Sequence, residues 1–271
     1  MRILKAIILA AGQGRRLKPL TERIPKCCLL LDGKSMLEWQ IEALAANEVE
    51  EIVVVTGFGR RAVDDVISHI QDIPVRTLYN PFYSQSDNLA TCWVARTEMT
   101  ESFLLINGDT MFEFALLQRL LGNTNAYPIT LATDQKSQYD EDDMKIIADQ
   151  ERLLRVGKRL DPEHVNGESI GMVVFNQTGA DAFVHQVEQL MSGPEGLASW
   201  YLSAIDDLAQ AEQVGICSIN GHSWCEVDDL DDLAFAQNAV GTWRQKPPLP
   251  SRHASNQNSV NPEPGEVAIE S

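Results

Sequence analysis

A basic, glycine-bearing loop spans residues 9–26, between an apolar run that ends at Ile8 and a second one that begins at Cys28. Glycine lets a ligand approach the peptide N–H groups closely, and arginine and lysine supply mobile positive charge. Both properties suit a polyphosphate. The loop therefore indicates a cradle for a nucleoside triphosphate, with charge from Arg15, Arg16, Lys18 and Lys26.

Two common phosphate motifs do not fit this loop. A P-loop requires Gly-Lys-Ser/Thr, but Gly14 is followed by two arginines. The dinucleotide fingerprint requires a third glycine where Leu17 stands. The residues from Ala6 to Lys26 instead follow the pattern of a strand, L-A-A-G-x-G-x-R, a spacer and P-K. This pattern resembles the signature of the sugar-phosphate nucleotidyltransferase superfamily, whose members join a nucleoside triphosphate to a phosphorylated small molecule.

The resemblance implies roles for the loop. Lys26 would bridge the two reacting phosphates, and Arg15 would hold the β and γ phosphates of the leaving group. The alternative for Lys26 is an ordinary surface lysine after a turn proline, and Arg16 and Lys18 are interpreted as solvated. Nucleotide contacts are expected from five further positions, namely Leu9, Ala11, Gly12, Gln13 and Gly14.

Two acidic segments far apart in the sequence are candidates for a metal site. Asp109 ends the apolar run that begins at Leu104, and ligands in doubly wound sheets bind beyond the carboxyl ends of strands. The late segment 224–233 delivers Glu226 and Asp228 on one face of an expected strand. The resemblance implies Mg²⁺ on Asp109 and Asp228, with Glu226 as the alternative to Asp228.

Each acid also has a structural interpretation. Asp109 is suited to cap a helix that begins near Phe112, because aspartate is common at helix N-caps. Asp228 is suited to a solvated helix N-terminus, where the dipole favours negative charge. Mg²⁺ takes only one or two protein carboxylates, so two acids are enough for the interpretation of these residues as metal ligands.

The middle of the chain resembles the CTP-using branch typified by CTP:phosphocholine cytidylyltransferase, in segments 80–91, 144–146, 156–158 and 167–172. The resemblance implies base contacts from Ser86 and Asn88. It implies acceptor contacts from Lys145, Lys158 and Glu168. Their structural alternatives are a helix cap for Asn88 and solvated strand positions for the two lysines.

A cationic acceptor head, such as choline or an aminoalkyl group, would require acids and aromatic faces. Trp200 and Tyr201 are candidates for such a cage. Aromatic residues at the start of a helix more often pack in the core, so core packing stays open as the alternative to a cage.

Charge and composition limit the kinds of partner that the protein is expected to bind and the cell compartment in which it is expected. Asp and Glu number 39 against 22 Lys and Arg, and the net charge of −17 disfavours nucleic acid and anionic membrane as partners. No apolar stretch is long enough to span a bilayer. Five cysteines without Cys-x-x-Cys spacing indicate neither zinc nor a disulfide framework. A cytoplasmic location is expected, and the sequence leaves homo-oligomerisation open.

Short β-branched runs alternate with amphipathic stretches, which predicts a Rossmann-like α/β fold of three α/β/α layers with a mixed, mostly parallel sheet. We expect one nucleotidyltransferase domain over residues 1–243 and a disordered tail over 244–271, which is rich in Pro, Ser and Asn. The predicted strands are 5–9, 51–56, 75–79, 102–106, 129–133, 144–148, 169–175 and 213–218. The predicted helices are 35–46, 60–70, 88–97, 113–121, 177–191, 197–210 and 230–240.

Three functions are compatible with these features. The leading prediction is a Mg²⁺-dependent cytidylyltransferase that transfers CMP from CTP to a small phosphate or phosphonate acceptor, such as phosphocholine, phosphoethanolamine or 2-aminoethylphosphonate. The first alternative is a sugar-1-phosphate nucleotidyltransferase that uses another NTP. The second is a non-catalytic nucleotide-binding module, since fold alone does not guarantee chemistry.

Overall fold

A computed structural model describes residues 5–123 and 126–243. The predicted tail, 244–271, lies outside the described residues. The strands are β1 Lys5–Ala10, β2 Leu30–Leu31, β3 Lys34–Ser35, β4 Glu51–Thr56, β5 Val75–Tyr79, β6 Phe103–Asn107, β7 Thr110–Phe112, β8 Ile129–Asp134, β9 Lys145–Asp149, β10 Arg152–Gly157, β11 Gly167–Phe175, β12 Val214–Ser218 and β13 Trp224–Glu226. The helices are α1 Met36–Ala46, α2 Arg60–Ser68, α3 Asn88–Ala95, α4 Phe114–Leu121, α5 Gln177–Met191, α6 Tyr201–Gln210 and α7 Leu230–Trp243.

Nine of the described strands form one mixed sheet in the order β5-β4-β1-β6-β11-β8-β12-β10-β9. The strands β5, β4, β1 and β6 are parallel, as are β8 and β12. β11 runs antiparallel between β6 and β8 and so joins the two parallel groups. Since β1 and β6 are parallel, their carboxyl ends lie side by side at one edge of the sheet.

Alternation along the strands builds a core on each face of the sheet. In β1, Ile7 packs in the cluster that includes α3, α5 and α6, whereas Ile8 packs in the cluster that includes α1 and α4. Both side chains are fully buried. Strands that are buried on both faces read as continuous apolar runs, as β1 and β4 do. The predicted three-layer α/β/α fold is confirmed.

The structure corrects several predicted helices and strands near Asp109 and Asp228. Asp109 does not cap the helix predicted near Phe112, because Thr110–Phe112 forms β7 and pairs with β13, and the helix, α4, begins at Phe114 with Glu113 at its N-cap. The helix predicted from residue 197 begins at Tyr201 and follows a separate turn of 3-10 helix, Gly196–Ala198. The strand expected to carry both late acids ends at Glu226, so Asp228 lies beyond it. The prediction also missed β10, in which exposed arginine interrupts the apolar alternation.

A third core cluster lies beneath α7 and the β2–β3 hairpin. Leu31 and Val227 are buried there against Ala236 and Val240 of α7. This packing anchors the chain on both sides of Asp228. Across residues 5–123 and 126–243, no helix combines the length and the hydropathy that a membrane span requires.

Candidate active site

The basic loop begins where β1 ends and folds back onto Lys26. Gly14 adopts φ +74°, and a Cβ atom there would lie 2.8 Å from Lys26 Cβ. The buried Thr21 hydroxyl donates to the Gly14 carbonyl at 2.6 Å, and Gln13 Nε2 donates to the Thr21 carbonyl at 3.2 Å. Glycine at position 14 therefore permits the close approach of Lys26, and the Gln13 amide closes the loop from within.

The turn after β6 carries Asp109 to the same edge. Gly108 donates its N–H to the Leu9 carbonyl at 3.0 Å, and a Cβ atom on Gly108 would lie 2.7 Å from that oxygen. The Asp109 carbonyl accepts from the Val227 N–H at 3.1 Å. These contacts bring the segments around residues 9, 109 and 227 together, although they are widely separated in the sequence.

Lys26 lies between the two predicted metal acids. Its Nζ is 2.7 Å from Asp109 Oδ2 and 2.8 Å from Asp228 Oδ1, and the lysine side chain is 13% exposed. Burial works against the ammonium charge, but Asp109 and Asp228 outweigh it and raise the pKa of Lys26. The basic loop and the two distant acids therefore meet, as the sequence predicts.

Arg16 joins this cluster, which the sequence interpretation missed. Its guanidinium lies 2.8 Å from Asp228 Oδ2 and 3.3 Å from Asp142 Oδ2. Arg15 points elsewhere and lines a neighbouring cavity with Phe58. The signal was available, because the pattern L-A-A-G-x-G-x-R, started at Leu9, ends on Arg16. The role predicted for Arg15 stays a prediction.

The pKa values of Asp228 and Glu226 are shifted in opposite directions. Burial raises the pKa of Asp228, but the charges of Lys26 and Arg16 outweigh it and lower that pKa overall. Burial, together with the charges of Asp109 and Asp228, raises the pKa of Glu226. Of these two acids, Asp228 is the one that meets Lys26 beside Asp109, and this position makes it the better candidate for a cation ligand.

The donor set fits a magnesium ion. Among the residues that the structure describes, no group of three His, Cys, Asp or Glu side chains is arranged to hold a metal. Mg²⁺ commonly takes only one or two protein carboxylates and completes its shell with phosphate oxygens and water. Asp109 Oδ1 is buried and has no hydrogen-bond partner, so this oxygen is available to a cation. Asp109 and Asp228 match that requirement.

A crevice of about 260 Å³ lies beside Lys26 and Asp109. Nine of the predicted site residues line it, namely Leu9, Ala11, Gly12, Gly14, Lys26, Ser86, Asn88, Asp109 and Trp200. Gln13 and Arg15 line the adjoining cavity, which also includes Ser86. The side-chain oxygen of Asn88, Oδ1, accepts a hydrogen bond from the Tyr201 N–H at 2.8 Å, so this side chain holds the start of α6 against α3.

The residues predicted on the acceptor side differ in what they contact. Lys145 is 8% exposed, and its ammonium donates to the backbone carbonyls of Asp140, Asp143 and Lys158. It is therefore neither solvated nor free to reach a ligand in this structure. Glu168 is buried and pairs with Lys136 at 3.0 Å; burial raises the pKa of Glu168 despite that lysine.

Trp200 and Tyr201 separate at the start of α6. The Trp200 ring lines the crevice and has the Lys158 ammonium 4.8 Å from its centroid. Asp87, which the sequence interpretation did not single out, lines the same crevice; burial raises the pKa of this carboxyl, and the Trp200 indole opposes that effect. Tyr201 is fully buried in the core on the α3, α5 and α6 face. Core packing, the alternative weighed for these aromatics, describes Tyr201 and not Trp200.

The fold has three layers around a mixed sheet, and a glycine-bearing basic loop faces two acids at the strand ends. This arrangement defines the chain as a nucleotidyltransferase of the nucleotide-diphospho-sugar transferase fold. Residues 6–212 match the family described as the MobA-like NTP transferase domain. The chain belongs to this family. The family prediction and the prediction of a transferase enzyme are confirmed.

Curated relatives match the chain over most of its length. The choline-phosphate cytidylyltransferase of Streptococcus pneumoniae is 23% identical over 84% of this chain and 95% of its own. The CTP:phosphoglutamine cytidylyltransferase of Campylobacter jejuni is 23% identical over 85% of this chain and 98% of its own. The inositol-1-phosphate CTP transferase structure from T. maritima superposes with a TM-score of 0.77 at 20% identity, over 90% of this chain and 97% of that one.

Proposed function

We propose that this protein is a Mg²⁺-dependent cytidylyltransferase that transfers CMP from CTP to a small phosphorylated or phosphonylated acceptor. The observation that carries the proposal is the contact of Lys26 with both Asp109 and Asp228 beside the crevice. The choice of CTP is supported by the relatives, which are named as cytidylyltransferases acting on choline phosphate and phosphoglutamine.

The reaction requires positioning and charge more than proton transfer. An oxygen of the acceptor phosphate attacks the α-phosphorus of CTP in line; the new P–O bond forms as the bond to the pyrophosphate oxygen breaks. The attacking oxyanion is already charged near neutral pH, so no general base is required. Lys26 would neutralise charge between the two reacting phosphates, and Arg16 and Arg15 would stabilise the departing pyrophosphate.

Asp109 and Asp228 are the residues that would hold the Mg²⁺ ion. When bound, this ion supplies charge neutralisation and orientation to the phosphate oxygens. Lys26 now contacts both carboxylates, so we expect its ammonium to turn from the acids toward the phosphates when substrate binds. Backbone N–H groups of the loop around Gly12 would approach the nucleotide.

An amine-bearing acceptor head is the finer part of the proposal. The Trp200 ring already has a cation on its face, the Lys158 ammonium at 4.8 Å, and Asp87 lines the same crevice. Aromatic faces and carboxylates both stabilise a desolvated ammonium. An acceptor with a cationic head would replace Lys158 at this ring. Tyr201 has no part in this contact, because it is fully buried.

A pyrophosphate-release assay tests the proposal. The protein is incubated with Mg²⁺, each NTP in turn and a panel of phosphocholine, phosphoethanolamine, 2-aminoethylphosphonate, inositol phosphate and hexose-1-phosphates. Release that requires CTP and one amine-bearing acceptor supports it. Release with a hexose-1-phosphate and another NTP would identify a sugar-1-phosphate transferase, and binding without release would identify a non-catalytic module. A cytoplasmic location and homo-oligomerisation stay predictions.

A further inference from the structure

The buried glutamine at the middle of α1 holds the turn that carries Asp109. Gln40 is 1% exposed, and its Nε2 donates to the Asn107 carbonyl at 2.9 Å and to the Thr110 carbonyl at 2.8 Å. These two carbonyls lie on either side of Gly108 and Asp109. One amide therefore fixes both ends of the turn from which a proposed metal ligand projects.

Two backbone hydrogen bonds also hold this turn. The Gly108 N–H donates to Leu9, and the Asp109 carbonyl accepts from Val227. Both contacts fix the middle of the turn. Gln40 reaches the two ends of the turn from α1, a helix that packs against the sheet.

The orientation of the Gln40 amide is determined by its two acceptors. Only the NH₂ group can face two carbonyl oxygens, so the side-chain oxygen points away, and this Oε1 is buried with no hydrogen-bond partner. Leaving a buried acceptor unpaired is costly, and the amide accepts that cost at its own oxygen while it donates to the carbonyls of Asn107 and Thr110. Packing alone therefore does not account for an amide here.

We propose that Gln40 is a positioning residue that holds Asp109 in the orientation required to bind the divalent cation. The inference rests on the proposed function, in which Asp109 is a metal ligand. Residues that orient a metal ligand without touching the metal change metal affinity or activity by about 10–100-fold when they are substituted. Gln40 does not line the crevice, and its amide hydrogen bonds go to the two ends of the turn, so we expect its effect to pass through the turn.

The test compares two substitutions on the same helix. Gln40→Met keeps the length of the side chain and removes both hydrogen bonds to the turn. The control, Asn47→Leu, removes a hydrogen bond of the same type at the C-cap of α1, from Asn47 Nδ2 to the Ala43 carbonyl at 2.9 Å, at the end of the helix away from Gln40. Both variants are titrated with Mn²⁺ as the probe, with and without CTP, by electron paramagnetic resonance of the free ion, and their thermal unfolding is recorded.

We expect Gln40→Met to bind Mn²⁺ about 10–100-fold more weakly than the wild type. Asn47→Leu should lose thermal stability and keep the affinity for Mn²⁺. An unchanged Mn²⁺ affinity in folded Gln40→Met overturns the inference while the proposed function stands. If the wild-type protein binds no Mn²⁺ with CTP, the proposed metal ligation fails and this inference fails with it. Should Gln40→Met not fold, Gln40→Asn, which keeps an amide but lacks the reach, is judged by the same criterion.

Discussion

Replacing Lys26 with methionine separates its two roles, as the counter-ion of two acids and as a contact for the phosphates. Without metal, Lys26 makes two charge-assisted hydrogen bonds, at 2.7 and 2.8 Å, to Asp109 and Asp228. Each such bond contributes about 1.5–3 kcal/mol. The two aspartates are 28% and 31% exposed, so water screens part of the loss, and Arg16 still neutralises Asp228.

We therefore expect Lys26→Met to lower the free energy of unfolding by about 2 kcal/mol in the absence of divalent ions. At about 2–4 °C per kcal/mol, the melting temperature should fall by about 4–8 °C. Adding Mg²⁺ should stabilise the variant more than the wild type, because the ammonium no longer competes for the two carboxylates. The rate of pyrophosphate release with CTP should still fall by about 10²–10³-fold, since loss of one charge-stabilising donor in an active site has that effect.

Differential scanning fluorimetry with and without Mg²⁺, together with the pyrophosphate assay, measures both effects. Lys34→Met is the matched control, because Lys34 pairs with Glu42 at the surface away from the crevice. An exposed pair of this kind contributes about 0–1 kcal/mol, so neither the melting temperature nor the rate should change much. Equal melting temperatures of Lys26→Met and the wild type in the absence of metal, or equal shifts of both with Mg²⁺, would refute the counter-ion role of Lys26.

Three further predictions concern the loop, the Asp109 turn and the acid side of the stability curve. Arg16→Ala should slow pyrophosphate release by about 10²-fold and Arg15→Ala by less, because only Arg16 contacts the acid cluster. Gly108→Ala should lower the free energy of unfolding by about 1–3 kcal/mol in urea titrations, because its Cβ would meet a backbone oxygen at 2.7 Å. Arg76 lowers the pKa of Glu98 against the opposing effect of burial. The folded-state pKa is then below the unfolded one, so this contribution is present at neutral pH and lost as the pH falls through the folded value. Glu98→Gln should therefore destabilise the protein at neutral pH and flatten its loss of stability on acidification, as measured by unfolding at a series of pH values.

Each of these predictions has an outcome that contradicts it. A larger effect of Arg15→Ala than of Arg16→Ala would return the leaving-group role to Arg15. Gly241→Ala is the control for Gly108→Ala, because a Cβ at position 241 of α7 meets no atom within 4 Å. Equal urea midpoints for these two glycine variants would mean that the turn yields without cost. Parallel stability curves for Glu98→Gln and the wild type would exclude that ion pair as a source of acid sensitivity.

The fold followed closely from local pattern, because the central parallel strands β1, β4 and β6 are buried on both faces and read as apolar runs. The predicted bounds of β4, β5 and α5 agree with the structure residue by residue. The local pattern did not predict the bounds of the short strands β7 and β13. They consist of three residues each and exist because Thr110 and Glu226 pair across the chain, a contact that no local pattern records.

The candidate site shows the same division between local and long-range information. The Leu9–Lys26 pattern and the strand before Asp109 were legible, because each depends on residue types at fixed spacing. The interpretation of the pattern still chose Arg15, whereas the acid cluster is contacted by Arg16. Neighbouring side chains in a turn of 3-10 helix point in different directions, so only the fold decides which one meets Asp228.

The amino-acid sequence by itself determined the class of protein: a three-layer α/β nucleotidyltransferase with a basic loop and two acids at its strand ends. Only the tertiary structure decided which side chains share that site. It buried Tyr201, engaged Lys145 with backbone carbonyls, and brought Gln40 under the Asp109 turn. The physical reason is range, because periodicity and glycine placement act over a few residues, whereas hydrogen bonds and charge pairs depend on how distant segments pack.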